Sequence, residues 1–275
     1  MLSMRSNYSV SFPKLGLNFY FSPVAFEHGI FCIHWYGIIV CISFLVGIIY
    51  SFSKAKKIKV KKDSLLDVTL FSIFFSIVGA RIYYILFCEN FNYYLNNPIK
   101  IFAIKEGGLA LYGGIIFAFL TSFVVCKIKK IEYLKVLDCA SFGIFLGQAI
   151  GRWGNFFNQE AFGTKTNFLF GMCSENTTGK TVHPCFLYES IWCLLGILFL
   201  EIILRKSYTF KGKMFSLYTL IYGVGRFFIE SIRTDSLLLP NTEIKISQLI
   251  SIVLVIFGST FFIFKTKNTK NKLNS

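Results

Sequence analysis

Histidine and charged residues are both scarce in this 275-residue chain, and each shortage removes a class of answer. Three dispersed histidines with no His-Glu-x-x-His run leave no ligand cluster for a metal-dependent intramembrane hydrolase. Eight cysteines show no Cys-x-x-Cys spacing and fall mostly within apolar runs, so they are expected to serve as small apolar side chains. No metal or organic cofactor is implied. Charged residues make up 16% of the chain, well below the share a soluble domain carries. No repeated half with matching broken helices is visible, which argues against an inverted-repeat transporter. The first 24 residues lack a compact apolar core followed by a small-residue cleavage site, so no removable signal peptide is expected.

What is present is apolar. Hydrophobic residues reach 54%, with 33 phenylalanines, arranged in blocks of about 20 residues, the length a helix needs to cross the hydrocarbon core. Seven such blocks run approximately over 30–52, 65–87, 109–126, 136–157, 186–204, 214–232 and 246–264. The runs are continuous rather than alternating, so helices are expected rather than barrel strands. The fold class is therefore all-α, a polytopic integral membrane protein of seven transmembrane helices in a single domain, 1–275.

Lysine and arginine then orient the chain. Six lysines lie in the stretch KAKKIKVKKD after the first block, with further basic groups after the third and fifth blocks and in the C-terminal tail. The intervening segments are poorer in them: Arg5 and Lys14, Lys100 and Lys105, Lys165 and Lys180, Arg233 and Lys245. Basic residues favour the cytoplasmic side, which puts the N-terminus outside and the C-terminus inside. The formal charge of +15 thus reflects orientation and attraction to anionic membrane lipids, and no nucleic-acid-binding pattern accompanies it. Only Cys173 and Cys185 share a predicted outer loop, where an oxidising compartment would allow them to pair.

Function should reside in the polar groups that persist where burial is expensive. Arg81, Arg152, Glu189, Arg226 and Glu230 all lie within or at the ends of apolar blocks, and the topology places them toward the outer side on four helices. Gly143, Gly147 and Gly151 recur every four residues and are expected to form a smooth strip for close helix packing. Arg152, Asn155 and Asn158 are spaced by three and would form a polar ridge. An arginine fork suits phosphate oxygens, and amides suit ester or hydroxyl groups. Alternatively, such a ridge is an internal network that locks helices together. A membrane transporter with a buried Arg/Glu binding site is the alternative from another functional class.

Five segments together carry a resemblance. GRWGNFFNQEAFG at 151–163 resembles the signature of the prolipoprotein diacylglyceryl transferase family. HWYG at 34–37, EGGLALYGG at 106–114, HPCFLYE at 183–189 and YGVGRFFIESIR at 222–233 are similar to further blocks of the family, in the same order. The resemblance implies a bacterial plasma (inner) membrane enzyme with its active site toward the outer face. Such an enzyme takes the diacylglyceryl group of phosphatidylglycerol, attaches it through a thioether to the lipobox cysteine of a prolipoprotein signal peptide, and releases glycerol 1-phosphate. It also implies roles. Arg152 and Arg226 would bind phosphate and stabilise the leaving group, while Asn155, Asn158, Glu160, Gly163, Glu189, Glu230 and Arg233 would bind substrate. His34, Tyr36, Tyr188 and Tyr222 are further substrate-binding candidates, although each also suits structural hydrogen bonding or packing at a membrane interface. Arg81 is expected to be a structural ion-pair partner. One departure stands out: where many members have histidine before the paired glycines of the third block, this chain has Tyr112. A phenol of ordinary pKa about 10 is a poor base at neutral pH. Tyr112 is therefore expected to orient substrate, with arginine electrostatics and a carboxylate or solvent path removing the thiol proton.

Overall fold

The computed structural model describes residues 8–29, 31–88, 91–104, 107–239 and 242–274. Arg5, Ile30, Lys105 and Glu106, which figure in the sequence expectations, lie outside them. The chain divides into two compact units, one drawn from Met1–Lys54 and Leu137–Ser275, the other from Ala55–Val136.

The first unit begins with short strands that the helical periodicity did not announce. Strands β1 (Tyr8–Phe12) and β2 (Leu17–Phe21) pair antiparallel, and β1 also pairs with the two-residue β5 (Cys173–Ser174), giving the order β2-β1-β5. Strands β3 (Val24–His28) and β4 (Phe31–His34) form a separate antiparallel pair. The alternation is the cause: Val10 and Phe12 point inward while Ser9 and Ser11 point away. Val10 and Phe12 pack with Phe156, Ala161, Met172 and Phe186, fastening the sheet to the segment that runs from 156 to 186.

Five long helices lie wholly or mostly in this unit: α1 (Trp35–Ile58), α5 (Tyr133–Asn158), α6 (Cys185–Lys206), α7 (Lys213–Ile232) and α8 (Ile246–Asn274). The glycine strip behaves as expected. A Cβ added to Gly47 of α1 would come within 2.7 Å of the Gly143 carbonyl oxygen of α5, and one added to Gly143 would overlap the Gly47 carbonyl and the Ser51 hydroxyl. The two backbones therefore touch directly, a contact in which only glycine fits.

Helix α7 is fastened at both ends by charged side chains from elsewhere. Its N-terminus has no cap of its own, and the fully buried Asp138 of α5 supplies one. The Asp138 carboxylate accepts from the Gly212 amide at 2.7 Å, the Phe215 amide at 2.8 Å and the Tyr208 hydroxyl at 2.6 Å. At the other end the Lys245 ammonium donates to the carbonyls of Glu230 (2.7 Å), Ser231 (3.2 Å) and Arg233 (2.7 Å).

The second unit holds α2 (Lys62–Phe87), the short α3 (Phe91–Asn96), a 3-10 turn over Pro98–Phe102 and α4 (Leu111–Ile128). Arg81 of α2 is buried here, and among the described residues its guanidinium donates to the carbonyls of Lys100 (2.7 Å), Ile101 (2.8 Å), Gly107 (2.8 Å) and Gly108 (3.0 Å). It clamps the loop that leads into α4.

Among the described residues, six helices, α1, α2, α4, α5, α6 and α8, are long and apolar enough to cross a membrane. Helix α7 coincides with the sixth expected span, 214–232, but falls short in apolarity, because Ser216, Thr219, Arg226 and Glu230 lie within its 20 residues. Two boundaries also move. Residues 31–34 belong to β4, so α1 starts at Trp35 and runs on through Lys54, Lys56 and Lys57, while α8 continues as helix into the polar tail. All eight cysteines are free, Cys173 and Cys185 among them, so the suggested disulfide is not formed.

Candidate active site

Three helices of the first unit bring charge to one point. Glu189, one turn into α6, is 4% exposed, and its carboxylate is shared by arginines from two directions. Arg152 Nη2 of α5 lies 2.5 Å from one oxygen, and Arg226 Nη1 of α7 lies 2.5 Å from the other. Arg233, just past the end of α7, approaches the same carboxylate at 3.6 Å. Arg226 also reaches Glu230 Oε2 at 2.7 Å, the i, i+4 neighbour on its own helix, and its Nη2 donates to Ser247 Oγ of α8 at 3.4 Å. Glu230 is 1% exposed. Charges so deeply buried persist only when paired, and here Glu189 is paired with Arg152, Arg226 and Arg233, and Glu230 with Arg226.

Arg233 is the member that lies beyond the end of α7. Its guanidinium forms a two-pronged contact with Asp235, at 2.9 Å on each side. Burial works against charge on both groups, yet their mutual pairing outweighs it. The Asp235 carboxyl is held below its ordinary value, and Arg233 is held above its own. Asp235 was not singled out from sequence, since an aspartate in a loop attracts no notice; its place two residues after an expected site arginine was the available signal. Lys245 was missed for the same reason.

A second polar group lies at the end of α5. Asn155 Nδ2 donates to Glu160 Oε1 at 2.8 Å and Asn158 Nδ2 approaches the same oxygen at 3.3 Å. The backbone turns sharply here, with positive φ at Gln159 and Ala161, and so aims Glu160 back at the helix end. Gly163 follows, where the chain is pinched: its amide donates to the His183 carbonyl at 2.7 Å, and an added Cβ would meet the Ile232 carbonyl at 2.7 Å and Cys185 Sγ at 2.9 Å. Because Gly163 bridges to Arg233, the stretch 151–163 and the end of α7 are drawn together by main chain as well as by charge.

The aromatic and histidine candidates divide. Tyr222 lines a small cavity of about 10 Å³ together with Glu189, Cys193 and Arg226. Tyr36 packs against Gly154, and His183 Nδ1 meets the Tyr188 hydroxyl at 3.0 Å. Burial lowers the pKa of His183 and favours its neutral form. His34 is exposed at the end of β4, with Cys32 Sγ 4.0 Å from its Nδ1. Tyr112 lies in the first turn of α4, in the second unit. Beside the cluster's helices an apolar hollow of about 270 Å³ is lined by Ile39 and Ile42 of α1, Ala149, Ile150 and Trp153 of α5, and Ser190 and Leu194 of α6.

Apolar helices of membrane-spanning length around a desolvated ring of arginines and carboxylates define a multi-pass membrane protein with a built polar site. Comparison with known proteins makes this specific. The family model for prolipoprotein diacylglyceryl transferase matches residues 23–264, and the chain belongs to that family. It is 40% identical over 255 residues to a phosphatidylglycerol–prolipoprotein diacylglyceryl transferase of Staphylococcus haemolyticus, covering 90% of this chain and 89% of that one. A protein of the same name from Bacillus velezensis is 41% identical over 253 residues, covering 89% and 92%, and one from Finegoldia magna is 42% identical over 226, covering 82% and 88%.

Proposed function

We propose that this chain transfers the diacylglyceryl group of phosphatidylglycerol to the lipobox cysteine thiol of prolipoproteins, forming a thioether and releasing glycerol 1-phosphate. This is the first step of lipoprotein maturation. The observation that carries the reading is the meeting of Arg152, Arg226 and Arg233 on Glu189, drawn from three of the five family-like blocks. A phosphate ester that leaves carbon needs preorganised positive charge in a water-poor place, and this site supplies it. The family match extends across both units and supports a single functional transferase domain.

Arg152 and Arg226 hold the phosphate, with Arg233 beside them and Glu230 orienting Arg226. Asn155, Asn158 and Glu160 receive the glycerol headgroup, and Gly163 lets the loop pass close to α7. Tyr36, Tyr188, Tyr222 and His34 border the substrate path, while Tyr112 orients substrate through its hydroxyl. The apolar hollow beside Trp153 suits an acyl chain. Helix α7 is the sixth of seven spans, tolerated in the bilayer because its polar groups face partners rather than lipid. The N-terminus is outside, the C-terminus is cytoplasmic, and the site faces the outer side of the bacterial inner membrane.

Reconstitution with phosphatidylglycerol and a lipobox peptide, followed by mass analysis, tests the assignment. Diacylglyceryl addition should appear and should vanish when the peptide's cysteine is serine; folded protein that gives no adduct would sink the proposal. In the same assay Tyr112→Phe separates an orienting hydroxyl from a bystander. Turnover equal to wild type would exclude a required phenol.

A further inference from the structure

The guanidiniums proposed to hold phosphate are already occupied. Glu189 takes one fork of Arg152 and one of Arg226, and Glu230 and Ser247 take the other side of Arg226. Three guanidiniums, Arg152, Arg226 and Arg233, stand against three carboxylates, Glu189, Glu230 and Asp235, so the ring is neutral as it stands. Bringing a phosphodiester anion to Arg152 and Arg226 would leave one buried negative charge unmatched, which costs several kcal/mol. A proton on one carboxylate removes that excess.

Given the function proposed above, we infer that Glu189 is the base of the reaction: the lipid phosphate displaces its carboxylate from Arg152 and Arg226, and the freed carboxylate takes one proton, from the thiol where the peptide is bound and from water where it is absent. Glu189 is the carboxylate that phosphate must displace, since it alone bridges both arginines. Glu230 and Asp235 keep their own partners, Arg226 and Arg233. The groups facing Glu189 are Arg152 from α5; Tyr222, Arg226 and Glu230 from α7; Arg233 with Asp235 beyond it; and Cys185 and Cys193 from its own helix. His183 precedes that helix and stays neutral, and the Lys245 ammonium is committed to the carbonyls at the end of α7. The small cavity beside Glu189 has room for about one water, enough to pass a proton.

The atoms balance. The thiol proton moves to Glu189, the thiolate sulfur bonds to the glyceryl carbon, and the carbon–oxygen bond to phosphate breaks with its electron pair on the phosphate oxygen. Arg152 and Arg226 hold the doubly charged product until Glu189 returns the proton to it and closes again on the arginines. The site thereby resets without metal or nucleotide.

Two measurements test this. Phosphatidylglycerol presented in nanodiscs, in weakly buffered solution without peptide, should draw close to one proton per lipid bound by the wild-type protein and none by Glu189→Gln. With peptide added, Glu189→Gln should bind the lipid at least as tightly as wild type while kcat falls about 10²- to 10⁴-fold. A merely structural Glu189 would instead lose lipid binding together with turnover. Wild-type binding without proton uptake, or Glu189→Gln turning over at the wild-type rate, would overturn the inference. Should Glu189→Gln fail to fold, the wild-type proton count decides alone. Absence of thioether product from the wild-type protein would overturn the functional assignment instead.

Discussion

Arg226 is the side chain on which the site leans hardest. It neutralises two buried carboxylates at once, so Arg226→Ala should cost stability as well as activity, about 3–5 kcal/mol for the uncompensated charge. Adding Glu230→Gln should restore part of the melting temperature without restoring transfer. Arg152 is the cleaner probe, being more exposed and, among the described residues, paired through Glu189 alone: Arg152→Ala should lower kcat about 10²- to 10³-fold with little change in melting. Arg152→Lys should recover only a fraction, because an ammonium cannot reproduce the fork. His183 adds a pH dependence. Burial lowers its pKa in the folded protein below the ordinary 6.5, so below that value the unfolded chain binds more protons. The stability it supports is present above pH 6.5 and lost as pH falls toward the lowered value; His183→Gln should flatten the fall of melting temperature over that window. At this scale the main candidates were legible, because Arg152, Glu189, Arg226 and Glu230 interrupt apolar runs. Asp235 and Lys245 were not, since charge in a loop is ordinary until a fold gives it a partner.

Among the elements, the long helices followed from continuous apolar runs, and their edges moved only where another preference competed. The strands before α1 escaped notice because serine and phenylalanine alternation over so few residues is easily taken for an irregular tail, and β5 is a pairing across 162 residues. The capping of α7 by Asp138 is equally remote in sequence. It should be costly to lose: Asp138→Ala leaves the amides of Gly212 and Phe215 without an acceptor, at about 1–3 kcal/mol for each buried donor. A lower melting temperature together with reduced transfer would show that the distant end of α7 governs where Arg226 stands. The α1–α5 seam has a similar sensitivity. Gly143→Ala places a methyl against backbone that cannot yield, and about 1–3 kcal/mol of stability should be lost by thermal unfolding in detergent.

For the whole molecule, orientation rests on the uneven spread of lysine and arginine along the chain. Single cysteines introduced near Lys14 and Lys267 into a cysteine-free variant should be labelled by an impermeant reagent in intact cells only at the first position; the reverse pattern would refute the topology. The neutral ring has its own consequence for how substrates find the site. Since its positive and negative charges cancel within a few ångströms, it casts almost no field into the surrounding water. Encounter is therefore left to two-dimensional diffusion within the leaflet, and the capture rate for a bilayer-resident lipid should be nearly indifferent to ionic strength, unlike that of an enzyme that draws its anionic substrate through solution.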